Sequence, residues 1–231
     1  MSEPRPAILV VEDEPEIRRF LRASLAAEGY RVVEAANGER GAIDAGTHKP
    51  DMAIVDLGLP DLDGVELIRR IRAWSSMPIV VLSARVAERS KIDALDAGAD
   101  DYITKPFGVG ELLARVRVAL RNRARSGSGE KLLTLGKASI DLEKRRAIRD
   151  GADVRLTPVE FKLLVCLARH LGLVVTHRQL LSEVWGPAHV EHTHYLRVYM
   201  KGLREKLEDD PARPKYLVTE TGVGYRLLDS G

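Results

Sequence analysis

The chain has 231 residues, which at roughly 100 to 200 residues per domain predicts two modest domains, each able to bury its own core. Charged residues make up 30% of the sequence, and no apolar run approaches the roughly 18 residues of a membrane span, so a bilayer protein is excluded. The short apolar run from Ala7 to Val10 is no secretory signal, which predicts a soluble, cytoplasmic protein. The single cysteine, Cys166, excludes an internal disulfide and lies in an apolar helical pattern that predicts a buried thiol.

The charge is distributed unevenly along the chain. Residues 1–123 carry 18 Lys and Arg against 20 Asp and Glu, a net charge of −2, whereas residues 124–231 carry 18 against 14, a net charge of +4. A Ser- and Gly-containing stretch at residues 124–131 has the composition of a flexible connector. We therefore predict a first domain at 1–123, a linker at 124–131 and a basic second domain at 132–231, for which nucleic acid is a reasonable partner.

The first domain alternates short apolar runs with stretches of helical period. The runs are expected to be strands, and they occur at Ile8–Val11, Arg31–Val33, Met52–Val55, Ile79–Leu82 and Tyr102–Ile103. Five strands and five helices in about 120 residues predict an α/β fold with a doubly wound five-stranded parallel sheet. In such a sheet the loops after the first, third, fourth and fifth strands gather at one edge.

The second domain follows a different pattern, with short β-like runs, then three helical stretches and a final hairpin. Thr157-Pro158 and Thr176 provide clear helix starts, and Gly186-Pro187 ends the second helix. The third helix, roughly Thr193 to Leu207, is apolar on one side and basic on the other. This order predicts an α+β winged helix-turn-helix domain.

Polar side chains follow successive strands of the predicted sheet. Glu12 and Asp13 follow the first strand and Asp56 ends the third, so three carboxylates are expected in one pocket, where their mutual repulsion calls for a cation. Mg²⁺ fits because it prefers hard oxygen ligands. Lys105, after the fifth strand, would neutralise charge on a transferred phosphoryl group, and the Ser83 hydroxyl would bond one of its oxygens. Asp56 is then the expected nucleophile, giving an aspartyl phosphate.

These motifs resemble the receiver domain of bacterial two-component response regulators over residues 6–123. The similar segments are VEDEP at 11–15, VDLGLP at 55–60, LSA at 82–84 and YITKPF at 102–107. The resemblance implies that Asp56 accepts phosphate from a sensor histidine kinase and that the Gly58 carbonyl joins Glu12, Asp13 and Asp56 around the metal. It also implies that Ser83 and Tyr102 form a switch pair.

The same resemblance implies a homodimer that forms on phosphorylation. The pairs Lys91 with Glu111 and Asp101 with Arg115 would cross its interface, whereas Asp100 has no settled partner because Asn122 stands where an arginine is usual. The complete expected interface is Lys91, Ala94, Leu95, Asp100, Asp101, Glu111, Ala114, Arg115 and Arg121.

The basic face of the third helix and the hairpin predict the DNA contacts. A helix fits the major groove, where Arg and Lys contact phosphates or guanine edges. The expected contacts are His194, Arg197, Val198, Lys201, Arg204, Thr221, Gly222 and Arg226. Residues 132–228 resemble the effector domain of the OmpR/PhoB class, and residues 192–202 are most similar to its regulators of the Kdp high-affinity potassium-uptake operon. The class implies promoter DNA and RNA polymerase as partners.

Two other functions stay open at this point. A soluble phosphohydrolase could use the same carboxylates in turnover, with the basic half as an accessory. A constitutive DNA-binding protein could carry an inactive receiver. The favoured interpretation is a regulator that is phosphorylated rather than an enzyme.

Overall fold

The computed structural model describes residues 5–84, 88–128, 132–190 and 193–230. The chain divides into two compact units, Met1–Arg123 and Ala124–Gly231. The predicted fold class is confirmed: a five-stranded parallel sheet with helices forms the first unit, and a winged-helix arrangement forms the second.

Strands and helices alternate throughout the first unit. In chain order they are β1 Ala7–Val11, α1 Pro15–Ala27, β2 Arg31–Ala35, α2 Gly38–His48, β3 Met52–Asp56, α3 Gly64–Arg72, β4 Ile79–Ser83, α4 Glu88–Asp96, β5 Asp101–Thr104 and α5 Val109–Ser128. Every residue of β1, β3 and β4 is buried, as expected for parallel strands covered on both faces.

The sheet order is β2-β1-β3-β4-β5, so the direction of strand addition reverses between β1 and β3. The register aligns Val11 with Val55, Asp56 with Leu82 and Ser83 with Thr104. The carboxyl ends of β1, β3, β4 and β5 therefore lie next to each other at the switch in strand order, where sheets of this kind place their sites.

The second unit contains two antiparallel sheets and three α-helices among its described residues. In chain order its elements are β6 Leu132–Leu135, β7 Ala138–Asp141, β8 Arg146–Arg149, β9 Ala152–Val154, α6 Pro158–Arg169, β10 Val174–Thr176, α7 His177–Trp185, a short 3₁₀ turn at Pro187–His189, α8 Thr193–Leu207, β11 Leu217–Glu220 and β12 Gly224–Leu227. The sheets are ordered β6-β7-β8-β9 and β10-β12-β11.

The helix starts of this unit follow the sequence signals. The Thr157 hydroxyl accepts from the backbone N–H of Glu160, whose carboxylate accepts from the N–H of Thr157, and Thr176 with Gln179 repeats this reciprocal cap. The Glu160 carboxylate also accepts from Lys206 Nζ at 2.7 Å, which ties the start of α6 to α8. One apolar core beneath the helices includes the Cys166 side chain, which is buried as predicted.

Three details differ from the sequence prediction. Helix α5 continues to Ser128, so the backbone of residues 124–128 is helical where a flexible linker was expected, and residues 129–131 lie outside the described part of the chain. The Arg- and Ala-rich sequence before Ser126 explains the extension, because these residues favour helix. Strands β9 and β10 were not predicted, since runs of three residues carry no recognisable period and are defined by their pairing with β8 and β12.

Candidate functional site

The acidic pocket lies at the carboxyl ends of β1 and β3. Glu12 and Asp13 follow β1 directly, and Asp56 is the last residue of β3. One carboxylate oxygen from each of the three residues lies within 4.8 Å of the others. Three hard oxygen donors at this spacing fit a magnesium ion, which prefers such ligands and keeps several waters. The sequence prediction that these carboxylates converge is therefore confirmed.

Lys105, just beyond β5, provides the positive charge of the pocket. Its ammonium nitrogen lies 2.8 Å from Glu12 Oε2, 3.3 Å from Asp56 Oδ2 and 3.7 Å from Glu14 Oε1, and its side chain is only 11% exposed. The ammonium thus bridges the end of β1 to the end of β3. A cation held 3.3 Å from Asp56 Oδ2 can stabilise negative charge that develops on a group bound to that carboxylate.

Burial and neighbouring charges shift two titrating groups of the pocket. Burial raises the pKa of Glu12, and the nearby Asp56 carboxylate raises it further, while the hydrogen bond from Lys105 acts in the opposite direction. Burial alone would lower the pKa of Lys105, but the hydrogen bond to Glu12 and the attraction of Asp56 outweigh it, and the pKa is raised. Lys105 consequently stays cationic at neutral pH.

The remaining predicted residues of the first unit lie around Asp56. Ser83 is buried at the end of β4, next in the sheet to β3. Gly58 is exposed, and a Cβ atom built on it would lie 3.3 Å from Asp56 Oδ2, so the backbone of residue 58 runs beside the carboxylate. Tyr102 on β5 is half-buried, and Lys91 Nζ lies 4.6 Å from the centre of its ring.

Gly64 shapes the loop between Asp56 and α3. A Cβ atom on Gly64 would lie 2.5 Å from the Asp56 carbonyl oxygen and 2.7 Å from Leu57 Cα, distances that no side chain tolerates. Glycine is therefore required for α3 to begin this close to the end of β3.

Sequence reasoning missed Arg18, the fourth residue of α1. Its Nη1 donates to the carbonyl oxygens of Glu12 and Asp13 at 2.6 and 3.1 Å. The available signal was its place in the first helical turn, because helical side chains point back toward the N-terminus. An arginine there resembles an ordinary surface charge until the loop geometry is known.

Several residues expected at a dimer interface have other roles in this structure. Ala94 and Leu95 are fully buried, because they form the inner face of α4, so they are wrong as interface contacts. The Asp100 carboxylate, whose partner the sequence left unsettled, pairs with Arg72 Nη2 at 2.7 Å and accepts from the N–H of Ile79 within its own chain.

The other members of the predicted interface are more accessible or paired within the chain. Arg115 Nη1 lies 3.1 Å from the buried Asp101 carboxylate and Arg115 Nη2 lies 3.9 Å from Glu111, so the expected pair between Asp101 and Arg115 exists within one chain. Glu111, Ala114 and Arg121 are exposed, and Lys91 is half-buried.

Helix α8 presents part of the predicted DNA-binding set to solvent. His194, Arg197, Val198 and Lys201 are exposed, and Val198 is 65% exposed even though it is apolar. Thr221 and Gly222 are exposed in the hairpin turn, where Gly222 adopts a φ of 73°. These six residues are therefore accessible to a partner, and their contact with DNA stays a prediction.

Arg204, which is half-buried, and Arg226, which is buried, instead make hydrogen bonds within the second unit. Arg204 donates to the Leu217 carbonyl oxygen at 2.9 and 2.6 Å and to the Thr219 hydroxyl. Arg226 is 4% exposed, pairs with Glu220 at 2.8 Å and donates to the Gly172 carbonyl oxygen. Its prediction as a DNA contact is wrong, because β12 lies between β10 and β11 and turns this side chain inward.

Replacing Arg226 tests this correction. Removing one partner of a buried, hydrogen-bonded ion pair leaves the other charge uncompensated, so Arg226→Gln should lower the free energy of unfolding of the second unit by about 3 kcal/mol. Urea unfolding followed by Trp185 fluorescence in a Trp74→Phe background would measure it. The control Arg197→Gln should change this free energy by less than about 0.5 kcal/mol. Equal stability of the two variants would contradict the structural role.

No helix in the described part of the chain combines the length and apolar character needed to cross a membrane. Comparison with protein families matches the response regulator receiver domain over residues 8–117 and the C-terminal domain of transcriptional regulatory proteins over residues 151–227.

Relatives align along nearly the whole chain. The KDP operon transcriptional regulatory protein KdpE of Escherichia coli is 55% identical over 96% of this chain and 98% of its own length. The transcriptional regulatory protein KdpE of Mycobacterium tuberculosis is 49% identical over 95% of this chain and 97% of its own. The crystal structure of response regulator DrrB, a Thermotoga maritima OmpR/PhoB homologue, is 31% identical, covers 97% of this chain and 100% of its own, and has a TM-score of 0.50.

A receiver domain joined to a DNA-binding domain implies a sensor kinase and DNA as partners. The two matched domains and the identity to full-length relatives agree on one assignment. The chain belongs to the OmpR/PhoB-type family of two-component response regulators and acts as a transcription factor.

Proposed function

We propose that this regulator accepts a phosphoryl group on Asp56 from a sensor histidine kinase, dimerises in response and binds promoter DNA of a Kdp-type potassium-uptake operon. The observation that carries the proposal is the distance of 3.3 Å between Asp56 Oδ2 and Lys105 Nζ, within a pocket of three carboxylates. A nucleophilic carboxylate beside a fixed cation is the arrangement that phosphoryl transfer to aspartate requires.

The chain's own residues supply the transfer step. An Asp56 carboxylate oxygen attacks phosphorus, the new O–P bond forms as the N–P bond to the kinase histidine breaks, and the electron pair of that bond returns to the imidazole nitrogen. Lys105 compensates charge on the transferred group. Mg²⁺, held by Glu12, Asp13, Asp56 and the Gly58 carbonyl, would neutralise phosphoryl oxygens when bound.

Ser83, Tyr102 and Lys91 form the proposed route from the pocket to the dimer interface. A phosphoryl group on Asp56 adds a charge of about −1.5 to −2 and strong acceptor oxygens, which attract the Ser83 hydroxyl from the neighbouring strand. Movement of the Tyr102 ring with it would break the contact with Lys91, whose ammonium lies 4.6 Å from the ring centre. Lys91 is then available to a second chain.

The dimer proposal now rests on fewer residues than the sequence suggested. Exposed Glu111, Ala114 and Arg121 and half-buried Lys91 remain available to a partner chain. Arg115 and Asp101 are paired within the chain, so a partner chain would exchange an internal pair for an intermolecular one. Such an exchange costs little net electrostatic energy, which suits an equilibrium that phosphorylation controls.

In the second unit, exposed Arg197 and Lys201 on α8 support major-groove binding, with His194 and Val198 beside them and Thr221 and Gly222 at a neighbouring phosphate. Identity of 55% and 49% to two relatives named KdpE supports the Kdp operon as target and a KdpD-like kinase as partner. RNA polymerase is the further partner we propose, and action on promoter DNA puts the protein in the cytoplasm. A phosphohydrolase or a constitutive DNA binder is not favoured.

Phosphorylation at Asp56 should be stoichiometric, and it should double the mass of the sedimenting particle by converting the monomer into a dimer. With Mg²⁺ and acetyl phosphate as donor, the full-length chain should take up about one phosphoryl group and sediment as a dimer, because Asp56 is the one carboxylate of the pocket that we propose as the acceptor. Asp56→Asn should remain unlabelled and monomeric, and EDTA should prevent labelling of the unaltered chain. Phosphate analysis with equilibrium sedimentation measures both quantities.

The matched control for this experiment is Asp63→Asn, which makes the same chemical change in the same loop. Asp63 accepts from the N–H of Val65 at the start of α3, and asparagine caps a helix equally well. Labelling of Asp56→Asn to the level of Asp63→Asn would contradict the proposal. Turnover of many equivalents of acetyl phosphate would instead favour the phosphohydrolase.

We predict that Arg197, on the exposed side of α8 beside Val198, contacts a base rather than a phosphate. Arg197→Ala should weaken binding to a kdp promoter duplex by about 1 to 3 kcal/mol and leave binding to a scrambled duplex nearly unchanged. Titrations at several salt concentrations, with the exposed Arg169→Ala as control, would measure this. An equal loss on both duplexes would contradict a base contact.

A further inference from the structure

Arg18 lies behind the acidic pocket rather than within it. From the first turn of α1, its Nη1 donates at 2.6 Å to the carbonyl oxygen of Glu12 and at 3.1 Å to that of Asp13. The side chain is 20% exposed. Both accepting carbonyls belong to residues whose carboxylates form the pocket with Asp56.

The loop at residues 12–14 needs this donor because the regular strand pairing of β1 stops just before the loop begins. Val11 is the last residue of β1 in register with β2, and the N–H of Glu12 donates to the carbonyl oxygen of Ala35. The chain then turns into α1 at Pro15, which has no N–H to donate. Backbone carbonyls in a partly buried turn require partners, and a single guanidinium nitrogen satisfies both. Bonds from a charged donor are stronger than neutral ones and fix orientation more tightly.

The charge on Arg18 is compensated away from the pocket. Glu34 on β2 lies 3.9 Å from Arg18 Nε and 3.7 Å from Arg22 Nε. Among the described residues, Arg22 makes no hydrogen bond to residues 12–14. The two arginines therefore share a helix and a carboxylate but differ in contact with the loop, so Arg22 is a matched control.

We infer that Arg18 is a positioning residue for the divalent-cation pocket. By holding the carbonyl oxygens of Glu12 and Asp13, it directs their carboxylates toward Asp56 and sets the affinity of the pocket for the cation without touching the cation or the phosphoryl donor. This inference rests on the proposed function of the same pocket.

Binding of Mn²⁺ alone to the full-length chain tests the inference directly. The spectrum of free Mn²⁺ in electron paramagnetic resonance reports the dissociation constant. Loss of a partner that orients metal ligands weakens binding about 10- to 100-fold, so Arg18→Gln should show a loss of that size. Arg22→Gln removes the same charge and should stay within about twofold of the unaltered chain. Because removal of a nearby positive charge alone would favour cation binding, weakening in Arg18→Gln reports geometry.

A second measurement separates positioning from a general loss of structure. Labelling of Arg18→Gln by acetyl phosphate should be slow at low Mg²⁺ and return to the rate of the unaltered chain at saturating Mg²⁺. A misfolded pocket would not be rescued by the cation. If Arg18→Gln fails to fold, Arg18→Lys decides, since it keeps the charge but its shorter side chain does not bring a donor to the position of Nη1.

Two outcomes would overturn the inference, and only the second would also overturn the proposed function. If the unaltered chain binds Mn²⁺ and the foldable Arg18 variant binds it equally well, Arg18 does not position the pocket and the proposed function stands. If the unaltered chain binds no Mn²⁺, the cation pocket of the proposed function fails and the inference fails with it.

Discussion

The ion pairs of Lys105 with Glu12 and Asp56 are the interactions on which the candidate site depends. Three carboxylates within 4.8 Å of one another repel, and the fixed ammonium at 2.8 and 3.3 Å offsets part of that repulsion. The pocket still carries excess negative charge, which attracts a divalent cation. The same ammonium lies close enough to Asp56 to stabilise the negative charge of the proposed phosphoryl group there. One side chain therefore serves both the resting pocket and the proposed chemistry.

Arginine has two distinct uses in this molecule. Arg18, Arg72 and Arg204 donate to backbone carbonyl oxygens of neighbouring segments, and so fix those segments in place. Arg197, by contrast, is exposed on α8. The proposed DNA surface consequently contains fewer basic residues than the charge pattern implies. A basic side chain is available to a phosphate only if it is not already bonded within its own domain.

The sequence was sufficient to predict the fold and the centre of the pocket. Parallel strands bring their carboxyl ends to one edge of the sheet, so Asp56 at the end of β3 and Lys105 just beyond β5 were expected at the same edge. The sequence was not sufficient to predict the partners of long side chains that can reach several hydrogen-bond acceptors. Asp100 and Arg115 have partners within the chain, and neither helical period nor resemblance identifies those partners. Leu95 illustrates a related error: the resemblance predicted it as an interface residue on the surface, but packing turns its side chain into the interior.

Chemical trapping tests whether the Asp56 carboxylate itself receives the phosphoryl group. Sodium borohydride reduces an aspartyl phosphate to homoserine and leaves a free carboxylate intact, so mass spectrometry of peptides from the labelled, reduced chain locates the acceptor. If Asp56 is the acceptor, homoserine should be found at position 56 only when Mg²⁺ and a phosphoryl donor are both present. Homoserine at another aspartate, or an unmodified residue 56 in a phosphorylated chain, would contradict it.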